Sequence, residues 1–456
     1  MADPQPSTAQ AYRADPAILS LGGEFYDPVD AADFPLTTLR FANWRWAARV
    51  GLGLDEAGWV RHFGRFEPLP DNLPQPLALR YHGHQFRHYN PDIGDGRGFL
   101  FAQLRDDTGR LLDLGTKGSG QTPYSRFGDG RLTLKGGVRE VLATEMLEAL
   151  GVNTSKSFAL IETGEELTRN DETSPTRSAV LTRLSHGHVR IGTFQRLAFF
   201  EDLAGIKALA SYSLRTLFGE ESDDPLRLFA LVAERTAVLA ASYLATGFVH
   251  GVLNSDNINV TGESFDYGPW RFAPTWDEQY VAAYFDHNGL YAFGRQPEAI
   301  HWNLARLGAS LALMGDGPAL AAILEGWPAR FEQALVAALV RRLGIQPDAT
   351  LDGPLVSAVL TLLRRQEETI DRFFFDWRGG RVPVGGDPVL AKAIEGRLPL
   401  PHALDHDYWR DDGPCSMHIE EVEAIWAAIA DGDDWKPFEA KIAAIRQMGA
   451  AHQVGP

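Results

Sequence analysis

The sequence predicts an α+β chain of two lobes with a cleft between them. Three observations carry that expectation. Short apolar runs alternate with glycine-rich turns from about residue 80 to 195. Long apolar-periodic helical segments dominate after about residue 200. One non-helical break, INVTGESFDYG, interrupts the helical half and carries polar oxygen ligands. A mixed half followed by a helical half places its ligand chemistry where the two meet.

Composition bounds the function classes. A chain of 456 residues is long for one unit and fits two or three packed ones. With 45% hydrophobic and 23% charged residues it reads as globular. A net charge of -17 disfavours phosphate backbones and anionic lipid surfaces, so neither nucleic acid nor membrane is an expected partner. The single cysteine, Cys415, leaves no intramolecular disulfide and no multi-cysteine metal site. The opening MADPQPSTAQAYRADPAIL has no basic start followed by an apolar run, and Asp3 and Asp15 come early. No secretory or transit signal is expected there, nor an apolar stretch long enough to cross a bilayer; the expected compartment is the cytoplasm.

In chain order, residues 1–75 mix Pro, Asp and aromatics and read as an ordered extension wrapped on a body. Residues 76–195 form the mixed lobe. Within it FLFAQLR, DDTGR and LLDLGTK read as strand, turn and strand. KGGVREVLATEMLEALGV follows as a helix, because Val138, Leu142, Met146 and Leu150 recur every fourth residue. Residues 196–375 form the helical lobe: PLRLFALVAERTAVLAASYLATG, PALAAILEGWPARFEQALVAALVRRLG and PLVSAVLTLLRRQEETIDRFFFDW. The break between the first two reads as two short extended runs around a Thr-Gly turn. Residues 376–456 form a C-terminal extension.

The cleft motifs come in the same order. Gly94, Gly96 and Gly98 surround Asp95 and Arg97 just before a strand. Such glycines let backbone N–H groups approach phosphate, or simply make a turn. Lys117 ends the next strand and Glu140 lies in the following helix. In protein kinases a strand lysine grips ATP phosphates and a helix glutamate holds it in place; the plain alternative is two unrelated surface charges. The segment FVHGVLNSDNINVTGESFDYG adds His250 at the head of a loop, Asn257 seven positions later, and Asp266-Tyr267-Gly268 after the extended runs. An amide carbonyl and a carboxylate suit a hard, oxygen-seeking cation. The position of the kinase catalytic base is occupied by Val252, which accepts no proton; the nearest carboxylate is Asp256.

Together these blocks resemble the selenoprotein O family over roughly residues 75–300: GHQF at 83–86, GDGRG, KGSGQTPYSRFGDGRLTLKGGVRE, TRLSHGHVRIGTF, HGVLNSDN and FDYGP. The resemblance implies a protein-kinase-like fold. It also implies transfer of AMP from ATP to Ser, Thr or Tyr hydroxyls of proteins, self-modification included, with the nucleotide flipped. Carried over by position, Gly94, Gly96, Arg97, Lys117, Asp129, Gly130, Arg183, Arg190 and Asp266 bind ATP. Asp256 is the proton acceptor, Asn257 and Asp266 hold Mg²⁺ (or Mn²⁺), and Glu140 pairs with Lys117. A triphosphate buried by its far end needs several cations, and Arg183 and Arg190 are suited to grip it bidentately; as a random pair they would be surface salt bridges. Two rival functions share most of these contacts: a conventional kinase moving the γ-phosphate, and a non-catalytic nucleotide-binding scaffold.

Other features carry less. His82, His84 and His88 lack a fourth ligand for zinc. His186 and His188 have no assigned role, and DHNG at 286–289 either shapes the substrate side or makes a turn. His82 and Arg87 stand where the family pattern has small residues. The tail lacks the family's Arg-Asn block and any Cys-x-x-Cys or selenocysteine-type ending.

Overall fold

The computed structural model describes residues 11–170 and 172–452. The acidic start at Asp3 lies outside the described residues. An eight-stranded antiparallel sheet forms the mixed part. Its strands are β1 (Tyr26–Pro28), β2 (Thr38–Ala42), β3 (Leu77–Leu79), β6 (Leu100–Arg105), β7 (Leu111–Lys117), β8 (Leu132–Thr133), β9 (Lys156–Leu167) and β10 (Thr176–Ser185). The order is β1-β3-β6-β7-β10-β9-β2, with β8 added on β10. A separate hairpin pairs β4 (Gly83–Gln85) with β5 (His88–Asn90).

The extension does more than wrap. It supplies β1 and β2, the two outer strands of the sheet, so the inner strands do not end in open edges. Its helices α1 (Trp44–Arg49) and α2 (Glu56–Phe63) cover one sheet face. There Trp59 packs on Phe158 at 4.9 Å between ring centroids and Phe63 on Phe101 at 6.0 Å. On the other face lies α3 (Leu134–Ala149), capped by Thr133, whose Oγ1 accepts from the Gly136 N–H at 3.1 Å. Val138, Leu142 and Met146 of α3 are fully buried, which fulfils the helical period. Each such side chain stabilises by about 1.5–3 kcal/mol. The expected strand-turn-strand also forms: Asp106 Oδ1 accepts from the N–H groups of Thr108 and Arg110, both at 2.9 Å, and closes the turn between β6 and β7.

The remainder is helical: α4 (Ile191–Phe199), α5 (Leu203–Tyr212), α6 (Pro225–Thr246), α7 (Gln296–Leu311), α8 (Gly317–Glu325), α9 (Trp327–Leu343), α10 (Asp352–Leu363), α11 (Ile370–Asp376), α12 (Pro388–Ile394), α13 (Ile419–Gly432) and α14 (Lys436–His452). Two of the runs read as continuous from sequence are broken. The first splits at Gly326, where Pro328 starts α9 because it lacks an N–H and its ring excludes a preceding turn. The second splits before Thr369, whose side chain caps α11. A further correction concerns membranes. Helix α6 is long and apolar enough to cross one by length and composition, contrary to the sequence expectation, but 72% of its most apolar window is buried inside the protein.

The tail packs back onto the sheet layer. Helix α14 lies along α3, where Arg446 Nε meets Glu145 Oε2 at 2.9 Å, and Lys135 Nζ reaches Glu423 of α13 at 2.7 Å. The helix carrying Glu140 is therefore held from both sides.

Candidate active site

The break in the helical part does not form a hairpin with itself. Asn259 bridges to Arg190 and Ser264 bridges to Thr154, so each extended run binds the sheet side of the molecule. Strand β11 (Phe248–Val249) pairs instead with β12 (Arg271–Phe272) beyond the motif. Tyr267 between them and Tyr243 of α6 bury their hydroxyls on Ser264, at 2.7 and 2.6 Å. Anchored this way, Asp266 adopts a left-handed backbone with φ of 65°. A non-glycine residue held there marks a position fixed by its surroundings.

One cleft of about 630 Å³ gathers most of the residues singled out from sequence. Gly94, Gly96, Arg97, Lys117, Asp129, Gly130, Arg183, Arg190, Asp256 and Asp266 all line it. Two stand just behind the wall. Glu140 accepts from Lys117 Nζ in a fully buried pair, and Asn257 donates through Nδ2 to Asp266 Oδ2 at 3.0 Å. Lys117 also reaches Asp266 Oδ1 at 2.8 Å, and Arg183 Nη1 reaches the same oxygen at 3.3 Å.

The charges at this floor set the protonation states. Burial alone would raise the Asp266 carboxyl, yet Lys117, then Arg183 and Arg190, hold it well below the usual carboxylate range. Asp256 is the opposite case. Burial pushes its carboxyl up to about 6, against the pull of Arg190. Its Oδ1 is buried without a hydrogen-bond partner. A carboxylate poised near neutrality and facing a cleft is the usual setting of a general base.

The glycines owe their identity to packing. A Cβ at Gly94 would lie 2.5 Å from the Tyr124 ring, and one at Gly98 would lie 2.0 Å from the Thr116 carbonyl oxygen. Gly130 has φ of 70° and a Cβ there would meet the Gly120 carbonyl at 2.2 Å. Two glycine-containing loops thus press together to form one rim. Asp129 on that rim is exposed and pairs with Arg169 at 2.8 Å.

Some partners of Arg190 could not be paired with it from sequence, although Asp95 and Phe265 lie in the GDGRG and FDYGP blocks. Asp95 accepts from Arg190 Nη2 at 3.2 Å and from the Leu79 N–H at 3.1 Å. Tyr81 and Phe265 sandwich the Arg190 guanidinium, at 4.4 and 4.9 Å from the ring centroids. These partners are remote in the chain, so no spacing announces them. Arg190 also donates to the Asp256 carbonyl at 3.0 Å, which ties the glycine loop to the loop that carries Asp256.

The unassigned histidines have structural partners. His188 meets Asp113 at 3.1 Å, and the His186 N–H donates to Glu263 at 2.7 Å. His82 bonds the Tyr89 hydroxyl at 2.8 Å, and burial pushes its imidazole down to about 4. Among the described residues no group of three or more His, Cys, Asp or Glu side chains forms a metal cluster. Asp286 closes a turn by accepting from the N–H groups of Leu290 and Tyr291, both at 2.8 Å.

Comparison with known proteins decides the family. The family model described as protein adenylyltransferase SelO matches residues 9–382. The chain belongs to the SelO family. A protein named protein nucleotidyltransferase YdiU from Synechocystis sp. is 42% identical over 93% of this chain and 96% of its own length. One of the same name from Gloeobacter violaceus is 42% identical over 95% of each. Another from Vibrio cholerae is 36% identical over 76% of this chain and 71% of its own. As a member of the SelO family the chain is an enzyme of the nucleotidyltransferase class, for which ATP is the implied substrate.

Proposed function

We propose that this SelO-family chain transfers AMP from ATP to Ser, Thr or Tyr hydroxyls of proteins, itself included, on a protein-kinase-like two-lobed frame. The observation that carries the reading is the trio of buried cations, Lys117, Arg183 and Arg190, at the floor of a cleft whose rim is made of glycine loops. A triphosphate tail carries its greatest charge at the γ end, so that end is best matched at the floor. The α-phosphorus then faces outward toward an acceptor.

The donor set at the floor fits a divalent cation. Asp266 offers a carboxylate and Asn257 an amide that presents its carbonyl after a half-turn; Mg²⁺ takes few protein oxygens and completes its shell with water and phosphate. When bound, Mg²⁺ (or Mn²⁺) supplies charge neutralisation on the phosphates. Asp256 accepts the proton of the acceptor hydroxyl as its oxygen bonds to the α-phosphorus. The bond from that phosphorus to the β-phosphate oxygen breaks, and pyrophosphate leaves. Arg183 and Arg190 hold the departing charge, and Glu140 keeps Lys117 aimed at it. Val252 at the kinase base position supports AMP transfer over phosphate transfer, because a hydroxyl placed there would find no base. The domain bounds given from sequence and a cytoplasmic location belong to the same proposal.

The deciding experiment supplies ATP labelled separately at the α- and γ-phosphates, with Mg²⁺ and an added acceptor protein such as casein. Protein label from the α position only is the expected result. Label from the γ position only would restore the kinase reading, and no label on any protein would favour the scaffold.

A further inference from the structure

The GHQF block forms the β4–β5 hairpin, and nothing in the chemistry above uses it. The hairpin lies across the loop segment Asn254–Asp256. The Phe86 N–H donates to Asn254 Oδ1 at 2.9 Å, and the His84 N–H donates to Ser255 Oγ at 2.7 Å. The fit is close: a Cβ at Gly83 would lie 3.0 Å from Ser255 Oγ and 3.3 Å from Asp256 Oδ1. Helix α4 closes the other side, where a Cβ at Gly192 would lie 2.1 Å from the His82 carbonyl oxygen and 3.7 Å from the Asp256 Cα.

Gln195 of α4 joins the two walls. Ser255 Oγ accepts from the His84 N–H and donates its own proton to Gln195 Oε1. That fixes the amide orientation, and Gln195 Nε2 donates to His84 Nδ1 at 2.7 Å. His84 must then be neutral with its proton on Nε2, and burial pushes its pKa in the direction that keeps it so. Gln195 is 4% exposed and Ser255 fully buried. The ring His84–Gln195–Ser255 is closed, with Gln195 and Ser255 buried and His84 half-buried, which stiffens it. Its last member is covalently joined to Asp256, whose carboxylate also takes a hydrogen bond from the Gln85 side chain of β4 while its Oδ1 has no partner.

We propose that Gln195 is a positioning residue for this enzyme: through Ser255, and clamped by the β4–β5 hairpin, it aims the Asp256 carboxylate at the acceptor hydroxyl. The inference rests on the reading of Asp256 as the base. It gives the GHQF block, whose Gln85 also lines the cleft, a purpose beyond phosphate binding.

The test uses the full chain, Mg²⁺, α-labelled ATP and casein as acceptor, with nucleotide affinity measured separately by calorimetry. Gln195→Leu and Ser255→Ala should each lower kcat by roughly 10- to 100-fold, the scale of a base displaced by about 1 Å. ATP affinity should stay within about twofold, because neither residue touches the phosphate cations. The double variant should lose no more than the worse single one, since both cut the same link. In an Asp256→Asn background Gln195→Leu should cost nothing further. Multiplied losses in the double variant, an equal fractional loss in the Asp256→Asn background, or a parallel fall in ATP affinity would each overturn the proposal and leave Gln195 as plain packing. Normal transfer by Asp256→Asn itself would instead sink the base assignment, whatever the Gln195 variants do.

Discussion

Replacing Asp266 by asparagine keeps the size of the side chain and removes one negative charge from the cleft floor. In the ligand-free protein that carboxylate neutralises Lys117 and is the ion-pair partner of Arg183 among the described residues. Two consequences follow with opposite signs. The empty site loses stability, because Arg183 is 5% exposed and keeps its charge without a counter-ion; breaking a buried pair costs about 3–5 kcal/mol. Metal-free ATP, however, gains. A phosphate entering beside the carboxylate at about 5 Å is repelled by about 3 kcal/mol at an effective dielectric of about 20. Asp266 is 24% exposed, and solvent screening brings the repulsion to about 1.5 kcal/mol, roughly tenfold in Kd. Calorimetry of ATP binding in chelator and in Mg²⁺ separates these effects. Asp266→Asn should bind ATP roughly tenfold tighter than the parent in chelator, show little further tightening with Mg²⁺, and regain its lost thermal midpoint when ATP is added. Weaker metal-free binding together with an intact Mg²⁺ response would refute the placement of the metal and of the triphosphate.

Four further predictions are independent of that one. With its carboxyl raised to about 6, Asp256 is protonated and idle below that pH and ionised above it, so the acid limb of kcat/KM should fall through about pH 6 and vanish in Asp256→Asn. Because the folded-state pKa is raised, burial of the ionised form costs stability as pH rises from about 4 to 6; Asp256→Asn should therefore have the higher melting temperature at pH 8, by at most about 3 kcal/mol of stability. Arg183→Ala should weaken ATP by tenfold or more and AMP by less than about threefold, measured by calorimetry, because its proposed contacts lie at the triphosphate end; equal losses would move that end elsewhere. Cys415 is half-buried, with its thiol pushed up by burial, and it is the chain's one cysteine, so dithiothreitol and Cys415→Ser should leave transfer unchanged; activation by reductant without a reducible dimer would contradict this.

The sequence by itself determined what depends on neighbours in the chain. The period of α3, the β6–β7 hairpin with its Asp106 turn, and the order of Lys117, Glu140, Asp256, Asn257 and Asp266 were all legible, because helix period, turn chemistry and motif spacing are local. The family likeness added roles that no spacing could supply. Tertiary structure alone decided which remote groups meet. It placed Asp95, Tyr81 and Phe265 around Arg190, set Gln195 under Ser255, and brought Arg183 to Asp266 across 83 positions of sequence. It also decided that Gly94 and Gly98 are small because Tyr124 and the Thr116 carbonyl leave no room for a Cβ. And it sent both extended runs of the break to the sheet side, when the sequence offered only a local turn. The physical reason is common to all of these. Burial and Coulomb interaction act through space, and a pKa near 6 for Asp256 comes from the water its surroundings exclude, not from the residues on either side of it.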